Sequence, residues 1–238
     1  MSDAAADPVL AMREVCYRWP GAAYDVLQLD GLEVRPRERL LVRGESGSGK
    51  STLLSLAAGV LLAQRGTVAL LDEDWRSMSA GRRDLRRADH IGYIFQQFNL
   101  LPYLSVLHNV LLPCRFSAMR AERAGRQEAR TTAEGLLTAL QLERPLWHRR
   151  AGELSIGQQQ RVAAARALIG RPELVIADEP TSALDEGRRD AFMALLLHEC
   201  SAAGSALLFV SHDMRLAVHF DRVLDLPALN QAPLQLGS

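Results

Sequence analysis

The chain has 238 residues, 28 basic and 28 acidic, and a formal net charge of zero. Hydrophobic residues at 48% and charged ones at 24% exclude a disordered or collagen-like chain. The even charge balance argues against a general nucleic-acid binder, whose footprint is a basic excess.

In chain order, Val9 to Cys16, Leu32 to Val34 and Arg39 to Val42 read as strands separated by turn material such as Pro20-Gly21 and Pro36. Leu53 to Leu62 has helix length, with Gly59 weakening it only locally. Thr67 to Leu71 is a strand, Arg82 to Arg87 a short basic helix, and Ile91 to Phe95 a buried strand. Stretches 104–112 and 119–142 read as helices, and Leu154-Ser155-Ile156-Gly157-Gln158 precedes another that runs to about 170. Leu174 to Ala177 is a buried strand. It is followed by a helix at 185–200, strand Ala206 to Val210, a short helix near 213–219 and strand Val223 to Leu226. Strands alternating with helices predict a mainly parallel α/β sheet in one domain. The nearly all-helical middle, 97–171, is expected to form its own lobe beside a core lobe of 1–96 and 172–238. The three cysteines are far apart and form no CxxC pair, which favours a reducing compartment. The longest nearly apolar run, Leu53 to Ala63, is too short to span a bilayer, and the acidic start MSDAAADP lacks a signal-peptide core. A chain soluble by itself is expected.

Four apolar runs each end in a polar cluster. Leu40 to Val42 leads into Gly44–Thr52, Ile91 to Phe95 into Gln96-Gln97, Leu174 to Ala177 into Asp178-Glu179, and Ala206 to Val210 into Ser211-His212-Asp213. In open parallel sheets ligands bind beyond the carboxyl ends of the strands. If the four strands share a sheet, the clusters face one pocket.

The first cluster, GESGSGKST, is a phosphate-binding loop: Gly44, Glu45, Ser46, Gly47, Ser48, Gly49, Lys50, Ser51 and Thr52. Its glycines let backbone N–H groups wrap phosphate oxygens, its lysine reaches the β- and γ-phosphates, and its serine suits Mg²⁺. Of the 28 basic residues 27 are Arg, and the single Lys is Lys50. GC-rich codon usage accounts for the arginines but not for where the lysine stands, which suits a compact ammonium rather than a planar fork. Asp178 suits a Mg²⁺ ligand and Glu179 a base for the attacking water, although an acidic turn before Pro180 would look the same. Ser155 and Gln158 have capping-box spacing at a helix start. That start is also an anion site, and the local residues do not say for what.

These motifs together, GESGSGKST, FQQFNLLP, LSIGQQQRVAAARAL, LVIADEPTSALD and VSHD, resemble the nucleotide-binding subunit of an ATP-binding cassette (ABC) transporter over residues 9 to 226. The resemblance implies a P-loop NTPase core of the RecA-like kind, an N-terminal antiparallel β-subdomain and a helical signature subdomain. It implies ATP and Mg²⁺ as ligands. Gly44–Thr52 matches the Walker A loop, Gln96 the glutamine near Mg²⁺ and attacking water, Asp178 the Walker B ligand, Glu179 the general base and His212 the switch histidine on the γ-phosphate. Ser155, Gly157 and Gln158 match the signature, and Asp185 the D-loop, which act on ATP held by the opposite subunit of a head-to-tail dimer. The adenine-stacking aromatic aligns with Trp19, with Tyr17 as the alternative. Ile156 departs from the usual second glycine, for which altered packing without loss of function is expected.

The stretch GYIFQQFNLLPYLSVLHNVLLPC resembles the branch of lipoprotein-releasing, macrolide-exporting and glycolipid-exporter-like ATPases, a stretch some importer ATPases share. The branch implies a cytoplasmic location, peripheral on the inner face of the plasma membrane, with membrane contact only through separate permease subunits. Soluble ABC ATPases acting on ribosomes or DNA form the competing class, but typically carry two cassettes or a long coiled-coil insertion. A nucleotide-binding regulator without turnover is opposed by Glu179, Gln96 and His212. The segment Phe98, Leu100, Leu101, Pro102 and Tyr103 reads either as a buried turn or as a docking patch for the permease.

Overall fold

The structure, a computed structural model, describes residues 7–45, 47–182 and 184–232. Its strands and helices, in chain order, are β1 (Leu10–Tyr17), β2 (Leu27–Val34), β3 (Arg39–Arg43), α1 (Lys50–Ala57), β4 (Arg65–Leu70), β5 (Glu73–Asp74), α2 (Ala80–His90), β6 (Ile91–Ile94), α3 (Val106–Phe116), α4 (Ala118–Arg123), α5 (Ala129–Ala139), α6 (Ile156–Leu168), β7 (Leu174–Asp178), α7 (Glu186–Ala203), β8 (Ala206–Ser211), β9 (Arg222–Asp225) and α8 (Leu226–Leu229). They fall into two units, residues 1–84 with 208–238, and residues 85–207.

In the first unit, β1 pairs antiparallel with both β2 and β4, and β5 extends the sheet beyond β4. Leu10 faces Val34 on one side and Leu70 on the other, and all three are fully buried. The β1–β4 register shifts between Arg13 and Cys16, where Glu14 takes a φ of 52°. Such a bulge bends the strand at the cost of local pairing. The run Leu40-Leu41-Val42 is wholly buried, as a strand covered on both faces must be. In that strand β3 pairs parallel with β9 and has β8 on its other side. Helix α1 packs against β4. It ends at Ala57 rather than at Leu62, because Gly59 enters the left-handed region at φ 64°. The ring of Trp75 fills that corner, 1% exposed, with its Nε1 donating to the Ala57 carbonyl at 3.2 Å. A Cβ at Gly59 would lie 2.5 Å from the ring, so Gly59 stops the helix where the sequence suggested only a weak point.

In the second unit, β6 pairs parallel with β7, Ile91 opposite Leu174 and Ile94 opposite Ala177. The start of β8 joins β7, with Ala206 N donating to Glu173 O at 2.9 Å. Helix α6 lies directly on β6, since a Cβ at Gly92 would sit 2.2 Å from the Ala167 carbonyl oxygen. The helix expected over 119–142 is two helices, α4 and α5, parted where Gly125 adopts φ 79°. Arg120 of α4 is 2% exposed. It donates to the carbonyls of Ala167 at 2.5 Å, Ile169 at 2.7 Å and Ile91 at 3.2 Å. Three backbone acceptors thus satisfy a charge that could not otherwise be buried.

Among the described residues no helix is long and apolar enough to cross a membrane. Cys16, Cys114 and Cys200 are all free thiols.

Candidate nucleotide site

The loop after β3 and the helix that follows are built for an anion. Gly49 is the N-cap of α1 at φ 95°, and no side chain caps the helix start. The first-turn N–H groups of a helix are unpaired within it, and with the helix dipole they favour negative charge. A Cβ at Gly44 would meet Ser48 Oγ at 2.4 Å, so a side chain there would have to push the Ser48 hydroxyl aside. Lys50 is 7% exposed, and its Nζ donates to the Gly44 carbonyl at 2.8 Å and the Glu45 carbonyl at 2.7 Å. The ammonium is thereby held by weak neutral acceptors at the place where phosphate oxygens would be stronger partners. Ser48 Oγ is buried with no hydrogen-bond partner, a donor awaiting an acceptor. Ser51 is exposed and Thr52 is 6% exposed in the first turn of α1. Gly47 lies at φ 83°, and Ser46 lies outside the described residues.

In the same unit, His212 follows β8 and is exposed. Asp213 caps the following 3₁₀ turn, Met214–His219, by accepting from Arg215 N at 3.0 Å. Trp19 is 46% exposed and Tyr17 only 6%, and the two rings meet edge-on at 5.3 Å. Trp19 can therefore present a face to a flat ligand, while Tyr17 supports it from below.

The second unit brings Gln96 and Asp178-Glu179 to one end of a parallel pair, since Ile94 lies opposite Ala177. Gln96 is exposed, and both carboxylates are half-buried. Glu179 has φ 42°, a left-handed backbone that costs a non-glycine residue on the order of 1–3 kcal/mol and collects at functional sites. Tyr93 stacks on Phe95 with ring centroids 4.1 Å apart. Its hydroxyl is pushed well above the ordinary range, first by burial and then by the negative charge of Asp178. It therefore remains a neutral donor beside that carboxylate.

Ser155 caps α6 with a capping box. Its Oγ accepts from Gln158 N at 3.4 Å, and Gln158 Oε1 accepts from Ser155 N at 3.0 Å. Both groups are exposed enough to take another partner, and the serine hydroxyl keeps its proton to donate. A cavity of about 740 Å³ opens here, lined among others by Ser155, Ile156, Gly157, Gln158, Arg161 and Arg188. Ile156 is 55% exposed, so its bulk changes the rim of the cavity and not the core packing. Asp185 caps α7 by accepting from Arg188 N at 3.0 Å.

Among the described residues, no group of three or more His, Cys, Asp or Glu side chains could cage a metal. Within the second unit, Gln96 and Asp178 offer hard oxygen donors of the kind that suit Mg²⁺, which characteristically takes one or two protein ligands and completes its shell with phosphates and water. Ser51, in the first unit, is an exposed hydroxyl of the same hard kind.

Sequence reading passed over Tyr93, Asn109 and Arg166. Arg166 donates to the Asn99 carbonyl at 2.7 Å and the Phe98 carbonyl at 2.6 Å. Asn109, fully buried, accepts from Leu101 N at 2.8 Å and donates to Leu101 O at 3.1 Å. The signal was present in AAARAL and LHNVLL, where one polar residue interrupts an apolar helix face and must find a partner.

A glycine-rich loop running from a buried strand into a helix, with a lysine folded into it, defines an α/β P-loop nucleotide-binding protein. Residues 27–182 match the ABC transporter family, and the chain belongs to that family. The chain is 41% identical over 223 residues to the lipoprotein-releasing system ATP-binding protein LolD of Novosphingobium aromaticivorans, covering 92% of this chain and 96% of that one. It is 42% identical over 200 residues to an uncharacterized ABC transporter ATP-binding protein, YbbA, of Escherichia coli K12, covering 83% and 85%. Among solved structures, a dimeric bacterial ABC transporter cassette superposes with a TM-score of 0.80 at 31% identity, over 96% of this chain and 100% of that chain. The same cassette in a post-hydrolysis state, bound to ADP and Pi, superposes with a TM-score of 0.81 at 30% identity. The chain is an ABC-type ATP hydrolase, the ATP-binding subunit of a transporter, resembling the lipoprotein-releasing branch.

Proposed function

We propose that this chain is the motor of an ABC exporter or releasing system. It binds ATP between two copies of itself and drives a substrate through a separate membrane permease, in the manner named for its lipoprotein-releasing relatives. The observation that carries this is the Gly44–Thr52 loop, with an uncapped helix start and a buried lysine ammonium resting on the loop's own carbonyls.

On this reading the phosphates displace those carbonyls from Lys50, and the N–H groups of Gly47 to Thr52 wrap the β-phosphate. Trp19 stacks on adenine. Mg²⁺, held by Ser51, Gln96 and Asp178, would neutralise charge on the phosphates. Glu179 takes a proton from the water attacking the γ-phosphorus. The bond to the β–γ bridging oxygen breaks, leaving ADP and inorganic phosphate, and His212 donates to the γ-phosphate oxygens. Ser155, Gly157, Gln158 and Asp185 of a second copy complete the site from the opposite side, with the α6 N-terminus adding its dipole. We assign residues 1–96 and 172–238 to the core lobe and 97–171 to a helical lobe. Leu100 to Tyr103 faces the permease. The chain works in the cytoplasm at the inner face of the plasma membrane and touches the membrane only through that permease, with no nucleic-acid partner.

The test is Glu179→Gln. It is expected to retain ATP, to slow hydrolysis by about 10²-fold or more, and to accumulate as an ATP-bound dimer by size-exclusion chromatography. Turnover at the wild-type rate would remove Glu179 as the base.

A further inference from the structure

The turn after Gln96 is unusual in its backbone. Phe98 and Asn99 are consecutive non-glycine residues in the left-handed region, at φ 59° and 46°. Asparagine tolerates that conformation, but a bulky aromatic does so only under constraint. Phe98 is 6% exposed, and its N–H donates to Phe95 O at 2.9 Å. The carbonyls of both residues are taken by one guanidinium, that of Arg166, at 2.6 and 2.7 Å. Burial pushes Arg166 down to about 10, so it remains cationic at neutral pH.

Arg166 stands in the last turn of α6, the helix whose first turn carries Gly157 and Gln158 and whose cap is Ser155. A helix transmits displacement along its axis because its backbone hydrogen bonds are mutually locked. We infer that Arg166 is a positioning residue for ATP hydrolysis: its two-pronged grip on Phe98 and Asn99 fixes Gln96 and the Leu100–Tyr103 segment to the signature helix. This rests on the proposed roles of Gln96 and the signature.

The test separates positioning from plain stability. Arg166→Lys replaces the rigid planar fork by a flexible point charge, which does not fix the spacing of the two carbonyls. The expected result is a kcat for ATP lowered about 10-fold, the scale of one lost charged hydrogen bond, with KM within about twofold. Amide hydrogen exchange should speed up at 98–101 and stay unchanged in α6. Wild-type kcat in Arg166→Lys would overturn the inference. So would exchange that rises equally throughout the unit. If Arg166→Lys fails to fold, the single variant Asn99→Gly carries the test through exchange. With Arg166 still gripping the turn, protection at 98–101 should persist, and its loss would overturn the grip. A Glu179→Gln variant that still turns over would instead strike at the proposed function and leave the Arg166 result standing.

Discussion

Lys50 shows how a single side chain can be judged from its partners. It is buried and holds two neutral carbonyls, so a doubly charged phosphate is a better partner than either. Lys50→Ala is expected to abolish ATP binding by calorimetry. Lys50→Arg should weaken it as well, since a planar fork does not fit a point-charge cradle. Near-normal affinity in Lys50→Ala would remove the loop from the binding site. The residue types in this loop were legible because their spacing alone specifies the chemistry. What could not be read was the state of the lysine, which depends on carbonyls brought within reach by the turn at Gly47 and Gly49. For the aromatic at the N-terminus, sequence left Trp19 and Tyr17 open. Trp19 is exposed and Tyr17 buried, and exposure is a property of packing that local pattern does not carry.

At the scale of elements, β3, β7 and β8 were read well because they are continuous apolar runs buried on both faces, whereas β2 begins five residues before the predicted Leu32 and the short β5 was not predicted. The helix ends were read less well. The helix predicted over 53–62 starts earlier and stops at Ala57, where Gly59 turns away under Trp75. A distant ring decides that boundary. The 119–142 prediction missed the break at Gly125, because an Ala- and Arg-rich segment has uniform propensity and only the left-handed glycine divides it. The short α4 earns its place through Arg120, which joins it to the ends of α6 and β6. Arg120→Leu would leave several buried carbonyls unpaired. It is expected to cost about 3 kcal/mol or more in urea unfolding. A loss under about 0.5 kcal/mol, the range of an ordinary surface change, would show that water takes over those carbonyls.

Acid stability is a property of the whole molecule with a nameable source. Burial would raise the Glu173 carboxyl, but hydrogen bonds from His90 at 2.9 Å and Arg123 at 2.7 Å outweigh it and hold it at about 2, below its ordinary 4.5. A carboxyl whose folded value is depressed adds stability above its unfolded value, and that stability is lost as pH falls from about 4.5 through about 2. Urea midpoints measured across that window should fall less steeply in Glu173→Gln than in the wild type. Equal slopes would mean that Glu173 is not the linked group. The segment proposed to dock the permease gives a second measurement at this scale. Phe98 is buried but Tyr103 is 67% exposed, so the stretch is neither wholly a buried turn nor wholly a patch. Tyr103→Glu forces no charge inside. It is expected to leave thermal stability within about 0.5 kcal/mol and to lose co-purification with the permease. A collapsed melting temperature would count against docking at this residue.

The solitary lysine has a practical corollary. With every other basic residue an arginine, the chain presents one side-chain amine to an acylating reagent, and that amine sits in the phosphate loop. Mass spectrometry of the peptide that carries Lys50, after brief acylation of the folded protein, separates that amine from the chain's α-amine and reports the state of Lys50 Nζ. Nucleotide occupancy could be followed as protection of that atom, without a mutation or a fluorescent label.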